Sequence, residues 1–283
     1  MAKGKLRIAT CQFAVSNSID RNAGWITRLM QQAQQGRAEI VHFSECALSG
    51  YAGVDFASFQ GYDWPLLQKR TKEILALAKK LGLWVILGSS YRLTEPNRPH
   101  NSLYVIDCKG RIVNRYDKRF GTPADLEHYT PGDRFVTFRI NGVRCGVLIC
   151  FDLRFPELYR ELKKLRIDCI FQSFYNARQK HHSIHTEIMR QTMQTRAATN
   201  GFWVSMNNSS AYYSAYPSTF IQPDGHISNH LRFHRPGIMF NTVDLNREFY
   251  DPSAPFRNPA MSGILTNRCG KVDDPRSTRR NII

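Results

Sequence analysis

Apolar residues recur along the chain in two rhythms. Short alternating or unbroken apolar runs occur at 6–13, 39–43, 83–91, 102–106, 112–116, 135–140, 143–149 and 169–174, and again at 202–206, 219–221 and 237–243. Their period and length predict strands. Helix-like patterns fall between them at about 19–35, 65–81, 156–166 and 183–200. The third opens with Pro156, at a first-turn position where a missing N–H costs little. Asn141-Gly142, Lys109-Gly110 and Asp224-Gly225 predict tight hairpin turns. Strands alternating with helices imply an α/β protein, and the hairpins imply mixed rather than wholly parallel sheets. Periodicity alone does not choose between one doubly wound sheet and two packed sheets. The chain shows no internal repeat and no low-complexity segment.

At 283 residues with no linker-like stretch, the chain reads as one domain, 1–283, with a basic tail from about 267. Hydrophobic content of 42% is ordinary for a globular protein, and no run approaches the ~18 apolar residues that a membrane span needs. The strand pattern begins almost at once, which leaves no room for an export signal and predicts a cytoplasmic protein. The seven cysteines (Cys11, Cys46, Cys108, Cys145, Cys150, Cys169 and Cys269) are odd in number and scattered. That spacing fits neither a disulfide framework nor a zinc motif and suits a reducing compartment. A net charge of +16 raises the question of a nucleic-acid or acidic partner. Lys and Arg are nevertheless spread along the chain, dense only at 160–166 and 276–280, and no nucleic-acid module accompanies them. The charge reads as a solvated basic surface; neither nucleic acid nor membrane is an expected partner.

Chemistry concentrates at predicted strand ends. Cys150 follows Val147-Leu148-Ile149 and precedes a helix start, so backbone N–H groups of the next turn point toward any anion forming beside the sulfur. Glu45 follows the run 40–43 and Lys118 follows the strand-like 111–117. Each has a plainer reading when taken alone: a buried structural thiol, a surface acid and a solvated lysine. Together they place a thiol, a carboxylate and an amine where they can converge.

The segments FSECALSGY around Glu45, YDKRF around Lys118 and LICFDLRFPELYREL around Cys150 resemble the carbon-nitrogen hydrolase (nitrilase) superfamily, most closely its Nit-type amidase-like branch. The resemblance covers nearly the whole chain. It departs from the family pattern at Ser44, where Pro is usual, and at Arg119-Phe120, where the branch commonly has His-Leu. It implies a four-layer αββα sandwich, no cofactor, no metal, and assembly into at least a homodimer. A second glutamate of the family, between the Lys and Cys motifs, is matched by Glu127 in DLEHYTPGD, with a role in bonding Lys118 or orienting substrate.

On this reading the substrate is a small linear amide. Cys150 attacks it as a thiolate, Glu45 moves the protons, and Lys118 stabilises the tetrahedral oxygen with the Phe151 N–H as a second donor. An N-carbamoyl amine or amino acid is the alternative substrate within the same chemistry, and a non-catalytic basic-surface binder is the alternative class. Arg154 is expected either to pair with Glu157 or to bind a substrate carboxylate. Asn176 and Arg178, beyond the strand ending at Phe174, and Tyr51, in an aromatic loop, complete the candidate substrate-binding residues. His181 and His185 stand one helical turn apart, but the pattern lacks the partner acid of a zinc helix and reads as a pocket edge or an oligomer contact.

Overall fold

Strand formation follows the apolar alternation directly in β1 (Lys5–Gln12), where Leu6 and Ile8 enter one packing layer while Ala9 and Cys11 enter another. In the computed structural model, which describes residues 3–267, 270 and 272–279, this strand begins the first of two sheets. Cys269 and the end of the basic tail from Arg280 lie outside the described residues.

Ser18 caps α1 (Ile19–Gln35) by accepting from the Arg21 N–H, and Ile19, Ala23, Ile26, Met30 and Ala33 give the helix one buried face. After β2 (Ile40–His42) comes α2 (Trp64–Leu81), capped by Asp63 and ended by Gly82 in the left-handed conformation. β3 (Trp84–Tyr91), β4 (His100–Ile106) and β5 (Ile112–Asp117) continue the sheet, and a single helical turn, α3 (Pro123–Leu126), leads away from it.

The second half repeats the scheme with β6 (Thr137–Ile140), β7 (Val143–Ile149), α4 (Pro156–Lys164), β8 (Cys169–Ser173), α5 (Ile184–Asn200), β9 (Trp203–Asn207), β10 (Thr219–Ile221) and β11 (Ile227–His230). β12 (Gly237–Asp244) then returns to pair with β1. The alternation did not predict β11, whose residues are alternately half-buried and exposed with little apolar content. The turn at Gly225 and pairing with β10 place this edge strand.

The strand orders are β12-β1-β2-β3-β4-β5 and β11-β10-β9-β8-β7-β6. Each sheet has three parallel strands at its centre, β1-β2-β3 and β7-β8-β9, with antiparallel strands outside them. β1 meets β9 and β4 meets β7 across the interface between the sheets. Side chains of α1 and α2 join the core on the outer face of the first sheet, and those of α4 and α5 join the core of the second. The result is the four-layer αββα sandwich. Parallel strands of one sheet end on one side, so the turns after β7 and β8 share an edge, where ligands bind in open α/β sheets, and hydrogen bonds of Glu45 with Phe174 and Tyr175 bring the turn after β2 to that edge.

The described residues divide into two compact units, the sandwich up to Phe249 and a second unit from Tyr250. The second unit contains α6 (Ala254–Met261), none of whose residues is buried, and α7 (Pro275–Thr278). Within it Arg257 pairs with Asp251. Among the described residues no helix is long and apolar enough to cross a membrane. The six described cysteines are free thiols.

A polar seam crosses the interface between the sheets. His42 Nδ1 lies 2.8 Å from Ser205 Oγ and its Nε2 lies 2.9 Å from Ser173 Oγ, while Thr10 Oγ1 is 2.7 Å from the same Ser205 hydroxyl. Burial lowers the His42 pKa from 6.5 to about 3, so the ring stays neutral and joins the sheets through hydroxyls rather than charge. Between these two values the unfolded chain binds a proton that the native state refuses, so stability falls as pH falls from about 6.5 toward 3. The slope from this residue reaches about 1.4 kcal/mol per pH unit at most. Urea unfolding measured from neutral pH to pH ~4 should show that acid loss in the wild type and a shallower one in His42→Gln, whose amide has no such titration.

Candidate active site

Glu45 lies three residues beyond β2, in a turn pressed so closely against β3 that a Cβ on Gly88 would sit 2.0 Å from the Ser44 carbonyl oxygen. Only glycine permits that approach. The Glu45 side chain is fully buried. Its Oε1 accepts from Lys118 Nζ at 2.8 Å and from Asn101 Nδ2 at 2.7 Å, and its Oε2 accepts from the Tyr175 backbone N–H at 2.8 Å. Asn101 belongs to β4, and its carbonyl also accepts from the Lys118 backbone N–H at 2.8 Å. A single residue thus aligns both partners of the ion pair.

Lys118 follows β5 directly and is only 4% exposed. Besides Glu45, its ammonium donates to Asp125 Oδ2 at 2.8 Å and lies 3.5 Å from the Tyr51 hydroxyl. Asp125 occupies the third position of α3, in a capping box with Thr122, and also accepts from the Tyr51 hydroxyl. The box turns its carboxylate back toward the helix start, and so toward Lys118.

Cys150 begins a short 3-10 turn, Cys150–Arg154, at the end of β7, with a left-handed φ of 38°. That conformation is sparsely populated by residues with a side chain and needs external support. Asp152 supplies it: Oδ2 accepts from the Ile149 N–H at 2.9 Å and the Tyr116 hydroxyl at 2.8 Å, and Oδ1 accepts from the Phe120 N–H at 3.0 Å. Tyr116 and Phe120 flank Lys118, so this carboxylate fastens the cysteine turn to the lysine strand. Burial raises the Asp152 pKa to about 6 against the pull of those donors.

The site balances opposed effects. Burial raises the Glu45 pKa above 4.5, although Lys118 and Asn101 pull it down. Burial disfavours the Lys118 ammonium, yet Glu45, Cys150 and Asp125 together hold its pKa well above 10.5. Burial and the Glu45 charge hold the Cys150 thiol up, opposed by Lys118 and the Tyr175 backbone. For Asp125, the lysine overcomes burial and the pKa is lowered. At rest, then, a protonated thiol shares the site with a carboxylate of raised basicity and a fixed cation.

Lys118, Asp125 and Cys150 line a cleft of about 370 Å³, whose walls also include Tyr51, Phe151, Arg154 and Asn176; Glu45, fully buried, touches it through Lys118. Arg154 is exposed there and forms no ion pair with Glu157. His185 also lines the cleft, with its Nδ1 buried and unpartnered, whereas His181 and His182 are exposed. A larger groove of about 520 Å³, bounded by Trp64, Leu67, Tyr91 and Tyr104, contains none of the reactive groups.

Two expected contacts are placed differently. Glu127 is exposed on the rim of the cleft, where it can still orient a substrate, but makes no ion pair with Lys118; Asp125 takes the lysine instead. Arg178 does not line the cleft, because its Nε donates to Asp55 Oδ1 at 2.7 Å and its Nη2 to the Val15 carbonyl at 3.0 Å. Asp125, Asn101, Asp152 and the Tyr175 N–H were not singled out from the sequence. Of these only Asp125 carried a local signal, the T-P-A-D helix start from Thr122.

The carbon-nitrogen hydrolase family model matches residues 7–248. The chain belongs to that family. It is 28% identical over 173 residues to an (R)-stereoselective amidase of Pseudomonas sp, covering 61% of this chain and 60% of that protein. It is 24% identical over 256 residues to Nitrilase homolog 2 of Dictyostelium discoideum, covering 85% and 75%, and 29% identical over 163 residues to Omega-amidase NIT2 of Xenopus tropicalis, covering 54% and 58%. The chain thus spans about 60% of the length of the first and third of these relatives. The fold matches an amidase of the nitrilase superfamily from Nesterenkonia, with a TM-score of 0.75 at 17% identity, over 92% of this chain and 95% of that one. In another structure, a mutant of that amidase carries the acetamide moiety of fluoroacetamide covalently on its active-site cysteine.

The arrangement ranks the two acids. Asp125→Asn removes the charge opposite the buried ammonium and should lower kcat by ~10- to 100-fold, at least tenfold more than Glu127→Gln, in steady-state kinetics with any amide that is turned over. Equal losses would divide the role between the two acids, and a larger loss in Glu127→Gln would return it to Glu127.

Proposed function

We propose that this chain is a cofactor-independent amidase that hydrolyses the C–N bond of a small linear amide through a thioester on Cys150, releasing ammonia. The observation that carries the reading is the buried contact of Lys118 with Glu45 and Asp125 at 2.8 Å each, in the cleft that holds Cys150. Amide cleavage needs an anionic nucleophile, a donor for the tetrahedral oxygen and a proton carrier, and these groups provide all three.

As substrate enters, Glu45 takes the thiol proton and the sulfur attacks the carbonyl carbon. Lys118 and the Phe151 N–H stabilise the oxygen that becomes negative, a contribution of about 10²–10³ in rate per donor. Glu45 returns its proton to the nitrogen, ammonia leaves, and the thioester remains. Glu45, again a carboxylate, draws a proton from water as it attacks the thioester, and the acid and the free thiol are restored. A carboxylate of raised pKa suits a group that must both accept and donate. Because the carboxylate form is the base, kcat/KM should rise with pH along an acid limb centred above 4.5, the ordinary value of that group.

Arg154, exposed on the cleft wall and not paired with Glu157, supports a substrate that carries a carboxylate as well as the amide. Tyr51 and Asn176 would shape the rest of the pocket. We place the enzyme in the cytoplasm, as at least a homodimer; sedimentation at micromolar concentration giving a monomer alone would refute the dimer.

Ammonia release is the test of function, measured over ω-amides of dicarboxylic acids, N-carbamoyl amino acids, simple aliphatic amides and nitriles, beside Cys150→Ser. The expected result is turnover of the carboxylate-bearing ω-amides, abolished in the variant. Activity confined to N-carbamoyl compounds would replace the substrate class, and activity that survives in Cys150→Ser would remove the nucleophile.

A further inference from the structure

Among the described residues, Asp55 is the one buried carboxylate beside this site that the chemistry above leaves without a task. Its side chain is fully shielded from solvent, yet it does not line the cleft and so does not meet substrate. Its Oδ1 accepts from the Tyr175 hydroxyl at 2.7 Å and from Arg178 Nε at 2.7 Å, and its Oδ2 accepts from the Tyr51 backbone N–H at 3.0 Å. Arg178 in turn reaches the Val15 carbonyl, so one carboxylate ties together the segments around Val15, Tyr51 and Tyr175.

Both tyrosines held in this way act on the reactive groups with their other ends. Tyr175 presents its backbone N–H to Glu45 Oε2 at 2.8 Å and favours the Cys150 thiolate, while Tyr51 presents its hydroxyl to Asp125. Their rings lie 4.8 Å apart. Arg178 itself adopts a left-handed φ of 56°, a conformation that needs holding in a residue with a side chain.

We infer that Asp55 is a positioning residue for the hydrolase: through Tyr175 and Arg178 it fixes the strand-end loop so that the Tyr175 N–H stays on Glu45 and beside Cys150, and through Tyr51 it braces Asp125. The inference rests on the amidase reading given above. The clasp is electrostatic and partly open to water, since the Arg178 side chain is 40% exposed against a shielded Asp55. Its loss would loosen a donor at the base rather than empty the substrate pocket, and the effect belongs in kcat more than in KM.

The direction of the pH effect follows from what faces Glu45. Lys118 from the end of β5, Asn101 from β4 and the Tyr175 N–H from the turn after β8 favour its charged form; Asp125 from α3 opposes it, and Cys150 exchanges its proton with it. Weakening the Tyr175 donor therefore raises the pH at which Glu45 becomes a base.

The experiment compares Asp55→Ala, Asp55→Glu, Tyr175→Phe and Arg178→Ala with wild type, using the amide that wild type turns over fastest. Asp55→Ala should lose ~10- to 100-fold in kcat, keep KM within about threefold, and move the acid limb of the pH profile upward; Asp55→Glu should recover part of the loss. Tyr175→Phe, which removes one oxygen from the clasp, should show the same upward shift with a smaller loss, and it decides the matter if Asp55→Ala does not fold. Wild-type kcat and profile in Tyr175→Phe and Arg178→Ala, or a rise in KM alone, would overturn the proposal. Silence of wild type on every amide would count against the amidase reading instead. In that case the rate of Cys150 alkylation by iodoacetamide becomes the readout, expected to be several-fold slower in Tyr175→Phe at a fixed mildly alkaline pH and equal to wild type if Asp55 positions nothing.

Discussion

The Lys118 ammonium is the constraint around which the site is built. An unpaired charge withdrawn from water is costly, and removing either partner of a buried pair destabilises by about 3–5 kcal/mol. The lysine at the end of β5 must therefore be met by oxygens, and it is met from the turn after β2 by Glu45, from the loop that continues that turn by Tyr51 at longer range, and from α3 by Asp125. Two regions distant in sequence, 45–51 and 118–125, are held in register by one charge. The cleft beside Cys150 takes its shape from that convergence.

Two carboxylates around one ammonium leave the cluster with an excess of negative charge, and the consequence reaches the thiol. Glu45 and burial keep the Cys150 proton in place while Lys118 pulls against them, so the sulfur is not a standing thiolate. In the mechanism proposed above, reactivity is held back until a carbonyl oxygen arrives to take the lysine's hydrogen bond and negative charge can move onto the substrate. A neutral resting thiol next to a base of raised pKa is protected from adventitious oxidation and alkylation, which require the thiolate.

Where the two sheets meet, the scaffold uses neutral polar groups. His42 joins the sheets as a neutral ring between two serine hydroxyls, and the Asn207 side chain bonds the Cys11 and His42 carbonyls at 3.0 Å and 2.5 Å. These bonds lie a few residues behind the turns that carry Glu45 and Tyr175. A satisfied polar seam of this kind fixes how one sheet sits on the other, which apolar packing alone does loosely. The distance between Glu45 on one sheet and Cys150 on the other depends on that relation.

Most strands and the four long helices were legible in the sequence, because alternation, capping residues and Asn-Gly or Lys-Gly turns are local signals. So were Glu45, Lys118 and Cys150, each lying where an apolar run stops. β11 was not legible, since an edge strand with alternate residues exposed carries little apolar signal. Of the two roles expected for Glu127, bonding Lys118 falls to Asp125 instead, because the capping box of α3 turns the Asp125 carboxylate toward the lysine. Arg178 was expected in the pocket and is held by Asp55 from a segment more than a hundred residues away. The sequence by itself therefore determined the order of elements and the reactive types at their ends. Only the tertiary structure decided which side chains face one another, because that depends on the direction a backbone turn imposes and on partners that are remote along the chain.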